Sequence, residues 1–484
     1  MGENRFNLWD DFDGDGISES LSCYPWNKNF YALPIVRNNF ECDYQTNVKG
    51  SFGKIAAQSI YIGDYDNNNK KEIYTISNIG DSLMLNIVEP YGIEDIVKNR
   101  FVCLVNNGKA GRDYTIQKTT LIDIDNDGTK EFVFAIFGGF CIKPRSIYIY
   151  NINSDKLISS GHLGCSIYDF YLSDINNDNK PEFILSTGAC GNMTDTIRQY
   201  HDHNAYSFAF DTDLKPIFKP HIHHGFTNQS FLYPFDIDDK RYWLNCVRQS
   251  SKLAEKGTNF YLLNYKGESI KHKHIKYTDK NQYLSLWSLV INGQNSVLVF
   301  NDTHEIEIIL PDLETVKFAN LKERVSRVRF YEELNNDGEK EFLFVSRDYK
   351  KVIVYNNNFR KHTTLDINFQ ISSSRVIFNK IIGKYSDPAF SLQSDNHYYE
   401  FIYKKTKLFY LKFFGLLSVI YLSILLLVVI IQKITSHKRL ENAGDFNRRT
   451  TRIKRIRTYN NNQQKYYKIR FRSSSWIDET PFLL

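Results

Sequence analysis

Short apolar runs rich in Ile, Val, Phe and Tyr recur along most of the chain, separated by clusters of Asp, Asn and Gly. Runs of about four to eight such residues, bounded by turn formers, predict β-strands joined by polar turns. The runs come in pairs around one kind of loop. SIYIG precedes and IYTIS follows Asp64; TTLID and FVFAIF flank the loop at Asp123, FYLS and FILST the one at Asp174, and RVRFYE and FLFVS the one at Glu333. Further runs such as SIYIYNI and FYLLNY follow, so each loop predicts one multi-stranded unit. A different pattern closes the chain. Phe413 to Ile431 is a single uncharged apolar run, about 28 Å long as a helix at about 1.5 Å per residue, the thickness of a hydrocarbon core.

The loops are copies of one another. In order they read DFDGDGISE from Asp11, DYDNNNKKE from Asp64, DIDNDGTKE from Asp123, DINNDNKPE from Asp174 and ELNNDGEKE from Glu333. The first, third, fifth and ninth residues carry oxygen in all five, and the sixth is Gly or Asn. A hard divalent cation such as Ca²⁺ takes about six to eight oxygens, which a tight loop supplies from alternate side chains and one carbonyl. The expected ligands are Asp11, Asp13, Asp15 and Glu19; Asp64, Asp66, Asn68 and Glu72; Asp123, Asp125, Asp127 and Glu131; Asp174, Asn176, Asp178 and Glu182; and Glu333, Asn335, Asp337 and Glu341. Carboxylates gathered this closely repel one another unless a cation sits among them. The sixth residue must turn with positive φ, which Gly and Asn tolerate. The competing reading is an Asn/Asp-rich hairpin turn, strongest for the less acidic copies; the loops at Asp11 and Asp123 rank first, then Asp174, Asp64 and Glu333. A sixth copy at Asp236 keeps Asp236 and Asp238 but carries Lys240 at its fifth position, and is expected to bind nothing.

The starts at Asp11, Asp64, Asp123, Asp174 and Asp236 lie 53, 59, 51 and 62 residues apart, the length of one four-stranded propeller blade. Degenerate blades are expected around Leu289 to Phe300, with the turn NGQN, and around Ile381 to Leu392. The fold class predicted is therefore all-β, a seven- or eight-bladed β-propeller followed by one transmembrane α-helix and a basic tail. The domains expected are residues 1–405, 408–433 and 434–484, the last without fixed structure. These loops and their flanking strands resemble the FG-GAP or VCBS-type repeats of integrin-α-like propellers, and the poorly kept Phe-Gly and Gly-Ala-Pro elements make VCBS-type the closer description. The resemblance implies structural calcium on one face and partner binding at the other face or the rim.

Charge changes the picture at the end of the chain. From Lys433 onward thirteen Lys or Arg stand against four acidic residues, the pattern of a cytoplasmic flank, so residues 1 to about 405 are expected outside. Removing that tail from the overall +6 leaves a slightly acidic remainder, which argues against nucleic acid as partner. Met1 to Asp10 is polar and runs straight into a loop, with no export signal. The natural start is accordingly expected upstream of Met1; a cytoplasmic propeller anchored by its C-terminal helix is the alternative.

Remaining chemistry is sparse. The seven cysteines suggest Cys23 with Cys42 and Cys165 with Cys190 as pairs to test, or seven free thiols. Five of the twelve histidines fall at His201, His203, His221, His223 and His224, and His221 with His223 is a candidate second metal pair on one strand face, weighed against surface histidines. Sequons occur at Asn192, Asn228 and Asn301. No nucleophile elbow, HExxH helix, P-loop or dinucleotide fingerprint is present, so the chain is expected not to be an enzyme. The expected function is a membrane-anchored, extracytoplasmic, calcium-binding module for recognition or sensing of an extracellular or periplasmic protein or glycan. The alternatives are an adhesion protein and the sensor part of a bacterial histidine kinase whose catalytic half is missing.

Overall fold

A computed structural model of the chain describes residues 6–441 and 467–473, except 28–29, 38–40, 53–55, 93–97, 106–112, 141–142, 193–199, 238–239, 250–256, 277–284, 301–304, 315, 368–375, 395–396 and 406. The described residues are almost entirely β, with one long helix, Lys407–Glu441. Strands follow one another as antiparallel meanders in eight units, which span 6–49, 51–104, 114–159, 166–224, 229–276, 285–320, 325–366 and 376–405 with 467–473. Units four and five are joined edgewise into one eight-stranded sheet through Thr187↔Ser230 and Gly188↔Gln229.

Position in the unit decides the composition of each strand. The second strands, such as Glu131–Gly138 (EFVFAIFG) and Glu341–Ser346 (EFLFVS), are buried along nearly their whole length. Sheets cover both of their faces, so they read as continuous apolar runs. The last strands, such as Ser269–Lys276 and Val316–Asn320, are largely exposed and carry Lys on the outer edge, where charge discourages pairing with another chain.

Each unit packs on the next. Tyr74 stacks on Phe132 at 4.6 Å between units two and three, and Phe330 on Phe378 at 5.0 Å between seven and eight. Apolar clusters join every other consecutive pair, for example Leu244 and Phe260 with Val297 and Val299, or Leu298 and Phe300 with Phe342 and Phe344. The last unit then meets the first. Ser18 N–H donates to the Ile382 carbonyl at 2.9 Å, Ile382 N–H to Ser18 Oγ at 3.0 Å and Asn7 N–H to Gln393 Oε1 at 2.8 Å, with Ile377 packed on the first cluster. Strands form at both degenerate repeats: Ser285–Ile291 pairs with Gln294–Phe300 across the left-handed Asn292-Gly293 turn, and Val376–Ile381 pairs with Ala389–Ser394.

Within the helix, Phe414–Lys433 is apolar enough and long enough to cross a bilayer, and none of that window is buried against the protein. A buried core helix is thereby excluded for this segment. Its two serine hydroxyls are satisfied within the helix, Ser418 Oγ donating to the Phe414 carbonyl at 2.7 Å and Ser423 Oγ to the Val419 carbonyl at 2.8 Å, as hydrocarbon requires. An arginine at Leu425, near the middle of the window, costs about 2.5–3.5 kcal/mol of insertion. We expect Leu425→Arg to shift a measurable share of the chain from the membrane to the soluble fraction, whereas Thr435→Arg does not.

The tail differs from its expectation at one place. Tyr467–Ser473 forms the fourth strand of the last unit, in register with His397–Lys405 from Tyr399↔Ser473 to Lys405↔Tyr467. The two strands flank the helix in sequence, so this pairing and a single membrane crossing exclude each other. Residues 442–466, which carry Arg, Lys, Asn and Gln throughout, have no route back through hydrocarbon.

Candidate functional site

The five acidic loops each join the first and second strands of a unit, and one bonding pattern runs through all of them. The first residue accepts the N–H of the sixth: Gly16, Asn69, Gly128, Asn179 and Gly338 donate at 2.9, 2.9, 3.0, 2.9 and 3.1 Å. The fifth accepts the N–H of the seventh, from Ile17, Lys70, Thr129, Lys180 and Glu339, at 2.6–2.9 Å. The ninth, always Glu, turns back to accept the N–H of the second, from Phe12, Tyr65, Ile124, Ile175 and Leu334, at 2.7–3.1 Å. Backbone donors thus fix one side of each carboxylate and aim the loop inward.

Positive φ occurs at the sixth residue in every copy, as the spacing predicts, between 65° and 91°. It occurs at the fourth as well: Gly14, Asn67, Asn126, Asn177 and Asn336 all have φ between 56° and 79°. The signal was present in the sequence, since the fourth residue is Gly or Asn in all five copies. Successive loops are also tied together. Lys71 N–H donates to Phe12 O, Lys130 N–H to Tyr65 O, Asn67 Nδ2 to Gly128 O and Asn126 Nδ2 to Asn179 O, at 2.9–3.1 Å.

Three loops bring three ligand groups within 4.8 Å of one another: Asp11, Asp13 and Asp15; Asp123, Asp125 and Asp127; and Asp174, Asp178 and Glu182. They are the three ranked first from the sequence. Asn176 puts an amide in the third of them as well, as Asn68 and Asn335 do in the other two copies, and Lys380 lies 3.6 Å from Glu333. Arg37 reaches Asp13 at 2.9 Å. At the sixth copy Asp236 is held by Arg241 at 2.8 Å, a built-in cation in place of an ion. Asp238 lies outside the described residues.

The ninth-position glutamates are buried, at 2–5 % exposure. Burial, reinforced by the aspartates ahead of them, pushes Glu19 up to about 7, and burial pushes Glu72 and Glu341 up to about 7; Glu131 and Glu182 rise for the same reason. A cation close by reverses that penalty by favouring the charged form. We expect Glu341→Gln to act with opposite signs: at pH 8 it raises the melting temperature in EDTA, where no buried charge remains, and lowers it in Ca²⁺, where a ligand charge is lost. Equal shifts in both conditions would remove the carboxylate from any cation site.

On the same face, a cavity of about 750 Å³ opens beside the sixth copy and the degenerate NGQN turn. Asn177, Asp236, Arg241, Asn295, Leu310 and Asp312 are among its lining residues. Its walls come from units four, five and six.

The histidine pair expected on one strand face is engaged otherwise. His221 Nε2 lies 2.7 Å from the Gly267 carbonyl, and His223 Nε2 lies 2.8 Å from Ser207 Oγ and 3.3 Å from Asn245 Nδ2. Burial holds His223 down at about 4. The histidines that do gather with a carboxylate are His201 and His203, around Asp202.

None of the six described cysteines is bridged, so neither expected disulfide forms; Cys190 contacts Ser166 Oγ instead of Cys165, and Cys141 lies outside the described residues. Of the sequons, Asn228 is fully buried and its Nδ2 donates to the His224 carbonyl at 2.8 Å, so its amide is not offered to a glycosylating enzyme in the folded chain; Asn192 is half-buried, its Oδ1 accepting from Arg145. Asn301 lies outside the described residues.

No protein family model matches the sequence, and no curated protein matches it. Solved structures are similar at low identity. BBS1N, crystallised in complex with ARL6DN and soaked with lead, is 10% identical over 80% of this chain and 88% of its own, with a TM-score of 0.39. The Dos1 propeller is 12% identical over 80% and 94%, with a TM-score of 0.39. Kluyveromyces lactis Hsv2 is 12% identical over 72% and 95%, with a TM-score of 0.38. The chain is thus a β-rich domain with weak structural similarity to several propeller proteins, followed by one helix long enough to span a membrane.

Proposed function

We propose that this chain is a membrane-anchored β-propeller of eight FG-GAP/VCBS-type blades, stabilised by Ca²⁺ in its acidic loops, that serves as a recognition or sensing module outside the cytoplasm and not as an enzyme. The observation that carries it is the bonding pattern shared by five loops at blade spacing, each with a buried glutamate behind it. The eight meanders and the contact of the last with the first support the closed ring. Calcium is favoured over a transition metal because the donors are all oxygen.

In this reading recognition belongs at the cavity beside Asp236 and Asn295, where Arg241 already neutralises Asp236 and the NGQN turn carries no carboxylate. Asp236, Arg241, Asn295 and Asp312 suit a hydrogen-bonding protein segment or glycan. The full chain in detergent, screened on glycan and peptide arrays with Ca²⁺ and with EDTA, tests this. A hit that needs Ca²⁺ and is lost in Asp312→Ala supports the reading; hits indifferent to both overturn it.

In the inserted chain, Tyr467–Ser473 leaves the edge of the last unit, because the tail lies across the bilayer from it. Protease added to sealed vesicles is expected to cut the tail or the propeller, never both.

A further inference from the structure

We propose that His201, Asp202 and His203 form a second metal site, for a divalent transition-metal ion of the zinc class, at the opposite end of the sheets from the acidic loops. Its place follows from connectivity. The acidic loops link first to second strands, whereas residues 189–203 link the second strand of unit four, Glu182–Gly188, to the third, Asn204–Phe210. Successive connections of an antiparallel meander lie at opposite ends.

The three residues offer two imidazole nitrogens and a carboxylate oxygen within 4.8 Å of one another. Asp202 Oδ1 is 3.6 Å from His201 Nδ1, and the His201 and His203 rings are 4.2 Å apart between centroids. Bonds of about 2.0–2.1 Å in a tetrahedron place ligand atoms about 3.4 Å apart. The group therefore has to close slightly. His201 Nδ1 accepts the His203 N–H at 3.2 Å, so His201 binds through Nε2 or gives up that bond, while His203, which is exposed, swings in.

What fixes the carboxylate is a shell built around it. Asp202 is fully buried, and its Oδ2 accepts from Arg145 Nη1 at 2.9 Å and from Asn192 N–H at 3.1 Å. Arg145, itself fully buried, is held in turn by the carbonyls of Gly138, Gly139 and Gly164. Both of those bonds fall on Oδ2, and Oδ1 is the oxygen 3.6 Å from His201 Nδ1. A carboxylate positioned in this way by an outer shell is a preorganised ligand. Two imidazoles with one carboxylate suit zinc and its neighbours, not the calcium expected in the all-oxygen loops. Three protein ligands leave a fourth position for water or an anionic group.

The test is a calorimetric Zn²⁺ titration of the full chain in detergent, with excess Ca²⁺ present to occupy the acidic loops. One Zn²⁺ per chain is expected. His201→Ala and His203→Ala, both at accessible positions, each weaken binding at least tenfold, while His221→Ala leaves it unchanged. Metal-free melting curves that match the parent show that these variants fold. Co²⁺ in place of Zn²⁺ should give visible absorption that His203→Ala abolishes. Absence of stoichiometric Zn²⁺ binding, equal affinity in the His201 and His203 variants, or loss only in His221→Ala would overturn the site.

Discussion

We expect calcium chelation to lower the melting temperature of this protein by roughly 8 °C. A site with a dissociation constant of about 0.1 mM, at about 1 mM free Ca²⁺, adds about 1.4 kcal/mol to folding. Four or five loops then contribute about 6–7 kcal/mol, a large part of a domain's usual net stability. Unfolding entropy of about 2.1 cal/mol/K per residue, over roughly 400 residues, converts that into the stated shift. The pH dependence is specific. In EDTA the buried Glu19, Glu72 and Glu341, pushed up to about 7, hold protons that the unfolded chain releases near its ordinary carboxylate value. The metal-free fold therefore binds more protons than the unfolded chain between those values, and its stability rises as pH falls from about 8 toward about 5. With Ca²⁺ the protons compete with the ion, so the stabilisation that Ca²⁺ adds shrinks over the same window. Differential scanning calorimetry at pH 5, 7 and 8 with Ca²⁺ and with EDTA reads both trends; an EDTA curve that rises with pH would refute the assignment of these glutamates.

The second large effect is expected far from the acidic loops. Arg145→Met removes a fully buried guanidinium that ties the carbonyls of Gly138, Gly139 and Gly164 to Asp202 and Asn192. The carboxylate of Asp202 then stays buried without its cation, which costs about 3–5 kcal/mol. Urea unfolding measures it. If the carboxylate is the cause, adding Asp202→Asn to Arg145→Met restores part of the loss, whereas a further loss would show that packing around the arginine stem dominates.

The acidic loops and their flanking strands were legible in the sequence because both are local. A carboxylate bonds an N–H two to seven residues away, and a left-handed turn needs Gly or Asn where it occurs, so the nine-residue pattern contains nearly all of its own causes. Even there the fourth position was missed, although Gly14, Asn67, Asn126, Asn177 and Asn336 stand in plain alignment. Arg145 was not legible, since Asp202, 57 residues away, reaches it only through the packing of unit four on unit three. The histidines misled for a related reason. Alternation correctly put His221 and His223 on one strand face, but which neighbour covers that face is a tertiary fact, and Ser207, Asn245 and Gly267 cover it. His201 and His203 converge through a turn that has no strand periodicity to read. Pairing of Tyr467–Ser473 with the last unit was likewise beyond a reading based on charge, which sees the tail's Lys and Arg and not its alternating Tyr467, Ile469 and Phe471.

Equilibrium Ca²⁺ binding to the full chain, in detergent and after exhaustive chelation, tests the central claim most directly. The acidic loops predict four to five Ca²⁺ per chain, with one equivalent lost in Asp123→Ala and one in Asp11→Ala, and none lost in Asp236→Ala. A chain that takes up no Ca²⁺ at millimolar concentration would contradict the account.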